Sequence, residues 1–285
     1  MEGFWMLLSG IAVISAVLAV AVCLGHGGFA TLGWLWILPV SFAGSFVALA
    51  AAAFVFVWIA CAVVDQEKPQ GRDSAFYRKL TELCVELLIM ALRVRVDTVG
   101  LEKTPRDGRF LLVCNHLNDS DPGILLHFFR KSQLAFISKR ENKDMFLVGK
   151  LMHKISCQLV NRENDREALR CILKCIDLIE KDEVSIAVFP EGYESLDCRL
   201  LPFRSGVFKI AQRTGVPIVV CTLQGSEHVI KNVKKLKPSK VQLHLVDVIS
   251  PEEYAGKTTV EIAKTVRNLM LNDLAEKYQP LEQNT

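Results

Sequence analysis

From Gly3 to Val64 the chain contains no Asp, Glu, Lys or Arg, whereas from Asp65 onward charges recur as in an ordinary globular domain. A stretch this long and apolar needs a non-aqueous surrounding, so the break after Val64 is expected to be the main boundary. A bilayer core about 30 Å thick is crossed by a helix of about 20 apolar residues. Phe4 to Leu24 meets that requirement, Gly25 to Thr31 interrupts it with glycines, and Leu32 to Val64 meets it again with Pro39 inside. The second run is longer than a crossing needs, which predicts a tilt, a kink near Pro39 or a stretch along the interface. Trp5, Trp34, Trp36 and Trp58 suit a headgroup belt. A cleaved secretory signal would begin with basic residues and hold one short apolar core, but this chain opens with Glu2. Lys68, Arg72, Arg78 and Lys79 follow the second run, so the positive-inside bias assigns the rest of the chain to the cytoplasmic side of a cell membrane.

Three segments are expected: a two-helix membrane anchor over 1–64, a connecting helix within 65–93, and an α/β domain over 94–285. Glu2 is the one charge of the first segment, which leaves +4 on the remainder of a chain whose net charge is +3. That balance favours anionic surfaces and does not call for nucleic acid. Nine cysteines, an odd number without CxxC pairs, read as free thiols rather than a metal site. Cys171 and Cys175 read as a small buried pair on the inner face of a helix. Ser74 to Arg95 is amphipathic, with Leu80, Leu83, Leu87, Leu88 and Leu92 opposed to Arg78, Lys79, Glu82 and Glu86. Such a helix lies on a membrane or packs on a globular domain, and the pattern allows both. Beyond it, short apolar runs alternate with helical patterns. Strands are predicted at 109–114, 134–138, 158–161, 184–189, 217–223 and 241–246, with the clearest helix at 165–180.

The strand FLLVCN runs into NHLNDSDP, placing His116 at a strand end and Asp121 five residues later, before Pro122. Such an opening into a helix start holds side chains at the edge of a sheet. A histidine takes a proton from a hydroxyl near neutral pH, and a nearby carboxylate fixes its tautomer and stabilises the imidazolium. About 70 residues on, SIAVF runs into PEGYES, a second turn at a strand end, followed by LLPFRSGVFKIA and VPIVV.

In these blocks the sequence resembles the glycerophospholipid acyltransferase family, which includes the 1-acylglycerol-3-phosphate acyltransferases. NHLNDSD matches an NHxxxxD block through Asn115, His116 and Asp121. LVNRENDREA matches a block carrying a key arginine through Arg162, and FPEG matches through Phe189, Pro190, Glu191 and Gly192. VPIVV matches the last block through Pro217, while SKRE and PFRSG, with Lys139, Glu141, Phe203 and Gly206, are also family-like. The likeness, over roughly 94–248, implies a mixed β-sheet wrapped by helices, with the HxxxxD and FPEG turns facing one cleft and a two-helix N-terminal anchor.

It further implies that His116 deprotonates an acceptor hydroxyl, which attacks an acyl thioester without a covalent acyl-enzyme. The sequence agrees, since no GxSxG elbow and no cysteine follows the signature strand in a nucleophile context. The donor would be acyl-CoA or an acyl-acyl carrier protein, the acceptor a lysophospholipid dissolved among membrane lipids, and no cofactor is implied. Asp121 would orient His116, and backbone near Gly192 or the first block would meet the oxyanion. Arg162 is the first choice for the acceptor phosphate. Glu191 would bond the glycerol part, hold a basic residue or brace its turn.

One departure stands out: many members read FPEGTRS where this chain reads FPEGYES. Glu194 occupies the place of a phosphate-binding arginine, with Arg199, Arg204 or Lys139 as replacements. This keeps open a different acceptor headgroup or glycerol-3-phosphate itself, and a catalytically silent lipid-binding relative is the rival outside enzymes. Lys231, Lys234, Lys235 and Lys237 read as a solvated loop, with an acidic carrier or anionic headgroups as other uses.

Overall fold

A computed structural model describes residues 2–30, 32–161, 164–195 and 197–280. The chain divides into two compact units, Met1–Lys68 and Pro69–Thr285.

In the first unit, α1 (Glu2–Gly25) and α2 (Trp34–Ala62) pack against each other as a hairpin, with Pro39 inside α2. The covered positions include the small Ser15, Ala19, Cys23 and Cys61 together with Phe4 and Ile11. The Ser45 hydroxyl donates to the Ser15 carbonyl across the pair at 3.5 Å. Many other large apolar side chains face outward, with Trp36 77% and Met6 73% exposed. A buried core helix would hide such residues, so the two helices, long and apolar enough to cross a membrane, are dressed for lipid rather than water.

The second unit begins with α3 (Ala75–Ala91), whose Leu80, Val85 and Ile89 are buried. Two expectations fail on this helix. Arg78 and Glu86 are buried rather than on a wet face, while Leu87 and Leu88 are exposed. The Arg78 guanidinium is buried because its donors are spent: it grips Asp73 at 2.5 and 2.8 Å and donates to the carbonyls of Leu134 at 2.8 Å and Ile155 at 3.2 Å. A buried charge persists only with such partners. The helix also stops before Arg95. Arg93 turns at φ 54° and the chain enters β1 (Val94–Val99), a strand absent from the sequence reading.

The other strands are β2 (Leu111–Cys114), β3 (Leu134–Lys139), β4 (Gln158–Val160), β5 (Ser185–Val188), β6 (Ile218–Gln224) and β7 (Ser239–Ile249). They form one mixed sheet in the order β1-β7-β6-β2-β5-β3-β4. β2 to β6 run parallel, and β7 is antiparallel to β6 with β1 parallel to β7. β2 and β5 are buried at every position, as strands covered on both faces must be.

The covering helices are α4 (Asp121–Phe128), α5 (Val148–Lys154), α6 (Asp165–Glu180), α7 (Lys209–Thr214), α8 (Val229–Val233), α9 (Pro251–Tyr254) and α10 (Thr259–Asp273). α6 keeps its predicted bounds because both ends are written in the sequence. The Asn164 side chain caps the amides of Arg166 and Glu167 at 3.1 and 3.3 Å, and Cys171, Cys175, Ile176 and Ile179 form its buried stripe. The core therefore lies on both faces of β2, β5 and β6, and the loops at their carboxyl ends are free to carry chemistry.

Candidate active site

β2 ends at Cys114 and β5, its neighbour, ends at Val188, so the chain segments leaving both strands emerge side by side. The first is held by Asn115. Its amide donates to the Leu223 carbonyl at 2.9 Å and its side-chain oxygen accepts the Leu223 amide at 2.7 Å, which clamps the end of β2 to β6. Asn115 was expected to bind substrate; both ends of its side-chain amide are spent on the β6 backbone, and it instead fixes where His116 starts.

His116 and Asp121 meet. The imidazole Nδ1 lies 3.0 Å from Asp121 Oδ2, which also accepts the amides of Leu117 at 2.7 Å and Asn118 at 2.8 Å. Three donors on one buried oxygen make Asp121 an acceptor, so Nδ1 donates and the lone pair sits on Nε2. Asp121 Oδ1 is buried with no hydrogen-bond partner among the described residues. The ring is held in plane by Phe189, stacked on it at 4.1 Å and 16°, with Phe136 stacked in turn on Phe189 at 5.9 Å.

The FPEG turn braces this arrangement. Glu191 is 4% exposed, and its two oxygens accept the amides of His116 at 2.8 Å and Leu201 at 2.7 Å. Of the three uses open to it, bracing is the one its contacts fill. Burial pushes its carboxyl up to about 7, against the two amides and His116, which pull it down. Gly192 turns at φ 80°, where a Cβ would come within 2.9 Å of Arg204 Nε. The Pro190 carbonyl accepts the Arg204 amide at 2.8 Å. Gly192 N–H donates to the Phe189 carbonyl at 3.1 Å, and the amides of residues 116–118 are taken by Glu191 and Asp121. The amides of Gly192 and of residues 116–118 are thus already occupied.

The basic candidates separate. Arg204 lies over the Tyr193 ring, 5.4 Å from its centre, beside Gly192. Lys139, exposed at the end of β3, is near enough to Glu194 to offset part of the burial that pushes its carboxyl up. Arg199 instead donates to the Gln279 carbonyl at 2.5 Å and lies 3.8 Å from Asp197. Those contacts tie it to the end of the chain, where the sequence reading had placed it on substrate. Arg162 lies outside the described residues.

Asp119, which the sequence reading passed over, shapes the other face of the imidazole. Glu194 Oε1 stands 3.6 Å from His116 Nε2. Burial, then a hydrogen bond with Asp119, pushes the Glu194 carboxyl up. The signal was present in NDSD, where two carboxylates, Asp119 and Asp121, compete to be the histidine's partner and spacing alone favours Asp121. Cys114, two residues before the histidine, does not compete with it: it is buried and its thiol is pushed up well above the ordinary range by burial. A cavity of about 460 Å³ lies elsewhere, between α6, α7 and α10, and none of its lining residues is a predicted site residue.

Residues 95–224 match the model of the Acyltransferase family. The chain is 32% identical over 184 residues to a probable 1-acyl-sn-glycerol-3-phosphate acyltransferase of Mycoplasma pneumoniae, covering 63% of this chain and 66% of that protein. It is 31% identical over 166 residues to a 1-acyl-sn-glycerol-3-phosphate acyltransferase of Chlamydomonas reinhardtii, covering 57% of this chain and 49% of the algal protein. The matches thus span from half to about two thirds of these relatives' lengths. The crystal structure of the 1-acyl-sn-glycerophosphate acyltransferase of Thermotoga maritima superposes with a TM-score of 0.60 at 25% identity, covering 78% of this chain and 86% of that one.

Proposed function

The chain belongs to the acyltransferase family through its residues 95–224, and from that membership we propose that it moves a fatty acyl group from an acyl thioester to the sn-2 hydroxyl of 1-acylglycerol-3-phosphate, making phosphatidic acid. The observation that carries the reading is the His116–Asp121 pair at 3.0 Å, with Nε2 as the free basic nitrogen.

His116 Nε2 takes the proton of the acceptor hydroxyl as its oxygen bonds to the thioester carbonyl carbon. The carbonyl electrons move to oxygen, then return as the carbon–sulfur bond breaks, and the departing thiolate takes the proton from the imidazolium. Asp121 holds the imidazolium throughout, since its buried charge lies against Nδ1. Phe189 prevents the ring from turning away. Lys139, which acts on Glu194, and Arg204, beside Gly192, serve an acceptor phosphate, together with Arg162 from the family pattern. The donor is acyl-CoA or an acyl-acyl carrier protein, and the second unit works on the cytoplasmic side of the membrane.

One observation favours a second acceptor. Glu194 and Asp119 set two carboxyl groups on the side of Nε2, and a phosphate monoester placed there meets like charge. A lysophosphodiester with a neutral or cationic headgroup meets less. An assay offering labelled acyl thioester and a panel of lysophospholipids decides between them. Label in phosphatidic acid supports the first reading; label only in other phospholipids replaces it with the second.

A further inference from the structure

α6 packs on α7, and α10 packs on the turn that leads into α7. Between them lies the cavity of about 460 Å³ that the His116 cleft does not use. Its floor is apolar, from Leu169, Ile172 and Gly206, and it opens to solvent, since Leu169 on one lip is 56% exposed. One turn further along α6 Leu173 is 54% exposed, and Val260 at the start of α10 is 64% exposed. The polar groups in the lining are turned to their neighbours. Lys209 Nζ donates to Gln212 Oε1 at 2.9 Å, Gln212 Nε2 to the Lys257 carbonyl at 2.8 Å, and the Thr258 hydroxyl to Glu261 at 2.8 Å. Such a groove suits the apolar face of a helix laid between helices better than a small polar ligand.

Cations stand around the opening. Arg166, Arg170 and Lys174 recur at spacings of four along the exposed side of α6, and Lys209 and Arg213 are exposed on α7, which holds no acid. Of the acids on α6, Glu167 lies 3.6 Å from Arg140, Asp177 holds Lys181 at 2.6 Å, and Asp165 and Glu180 stand at the two ends of the helix. Glu261, in the first turn of α10, is spent on Thr258. The groove is thus apolar along its floor and positive around its rim. One end of it lies beside the FPEG turn. Gly206 is two residues from Arg204, whose amide donates to the Pro190 carbonyl at 2.8 Å and whose side chain lies against Gly192.

We infer that this groove is where the acyl donor's carrier docks, a small acidic helical protein that presents the acyl thioester on a phosphopantetheine arm. The inference rests on the acyl-transfer reading of His116 and goes past it, in committing the donor to a carrier protein and giving that protein a surface. An acidic helix with apolar residues along one side matches both parts of the pattern, the floor and the rim. The loop with Lys231, Lys234, Lys235 and Lys237 offers charge, whereas this groove adds apolar area for a helix to cover. Because the groove ends at the FPEG turn, the arm enters the His116 cleft from that side while the body of the carrier stays outside.

Binding of holo acyl carrier protein to the full chain in phosphatidylcholine nanodiscs, followed by interferometry, tests this. No turnover is needed, so a failed acyl-transfer assay leaves the result standing. Binding is expected at low ionic strength and is expected to weaken as salt rises. Arg166→Glu combined with Arg170→Glu is expected to weaken it at least about tenfold, while Arg166→Lys combined with Arg170→Lys keeps it. Leu169→Ser is expected to weaken it about fivefold by removing apolar area from the lip. Lys234→Glu combined with Lys235→Glu is expected to leave it unchanged. Absence of binding at low salt overturns the inference. So does binding that survives the α6 charge reversals, or binding that is lost with the loop reversals instead.

Discussion

The carboxylate of Asp121 does two jobs with one oxygen, ordering the backbone of residues 117 and 118 and fixing the tautomer of His116. Asp121→Asn keeps the size of the side chain but lets an amide face the ring, so acyl transfer should fall at least about a hundredfold while the circular dichroism spectrum is unchanged. Glu191 is tied to pH. Its carboxyl is raised from 4.5 to about 7, so folding favours the protonated form. That stabilisation is complete below 4.5 and is lost as pH rises through about 7. The parent's thermal midpoint in micelles should decline across that window, and Glu191→Gln should remove most of the decline. Gly192→Ala should lower stability by about 1–2 kcal/mol, from the positive φ and from pressing on Arg204. At this scale the sequence was legible where chemistry and spacing coincide, as at His116 and Asp121. It was not where a side chain's use depends on what folds over it: Asn115 and Glu191 are buried against backbone, and Arg199 is tied to Gln279, a residue far along the chain.

Elements were legible to the extent that their burial was one-sided or complete. The stripe and cap of α6 are local, and the all-apolar runs of β2 and β5 announce strands covered twice. β1 was missed because the leucine pattern of α3 carries past its end, and only Val94 and Val96 alternate before Asp97 and Thr98. β7 is longer than expected, running over Ser239–Ile249 with alternating burial whose polar half hides its ends. Strand order and the reversal at β7 are long-range facts with no local signature. The burial of Arg78 in α3 gives a test at this scale. Arg78→Ala strands Asp73 and two carbonyls, so unfolding of the second unit should become easier by about 3–5 kcal/mol in a urea titration.

Across the whole molecule the chain forms two compact units, with the boundary between Lys68 and Pro69. The core around β2, β5 and β6 is built within the second unit, together with every described residue of the site. The first unit supplies two helices long and apolar enough to cross a membrane, with many large side chains facing outward. Membranes from cells making the full chain should therefore retain it through an alkaline carbonate wash, whereas release by that wash would mean the hairpin is not inserted. The central claim is that His116 is the base for direct acyl transfer to a lysophospholipid. Purified full chain in bilayers, given labelled acyl thioester and 1-acylglycerol-3-phosphate, measures it. The account predicts labelled phosphatidic acid from the parent, no label retained on the protein, and loss of product in a folded His116→Ala variant; an unchanged rate in that variant would contradict it.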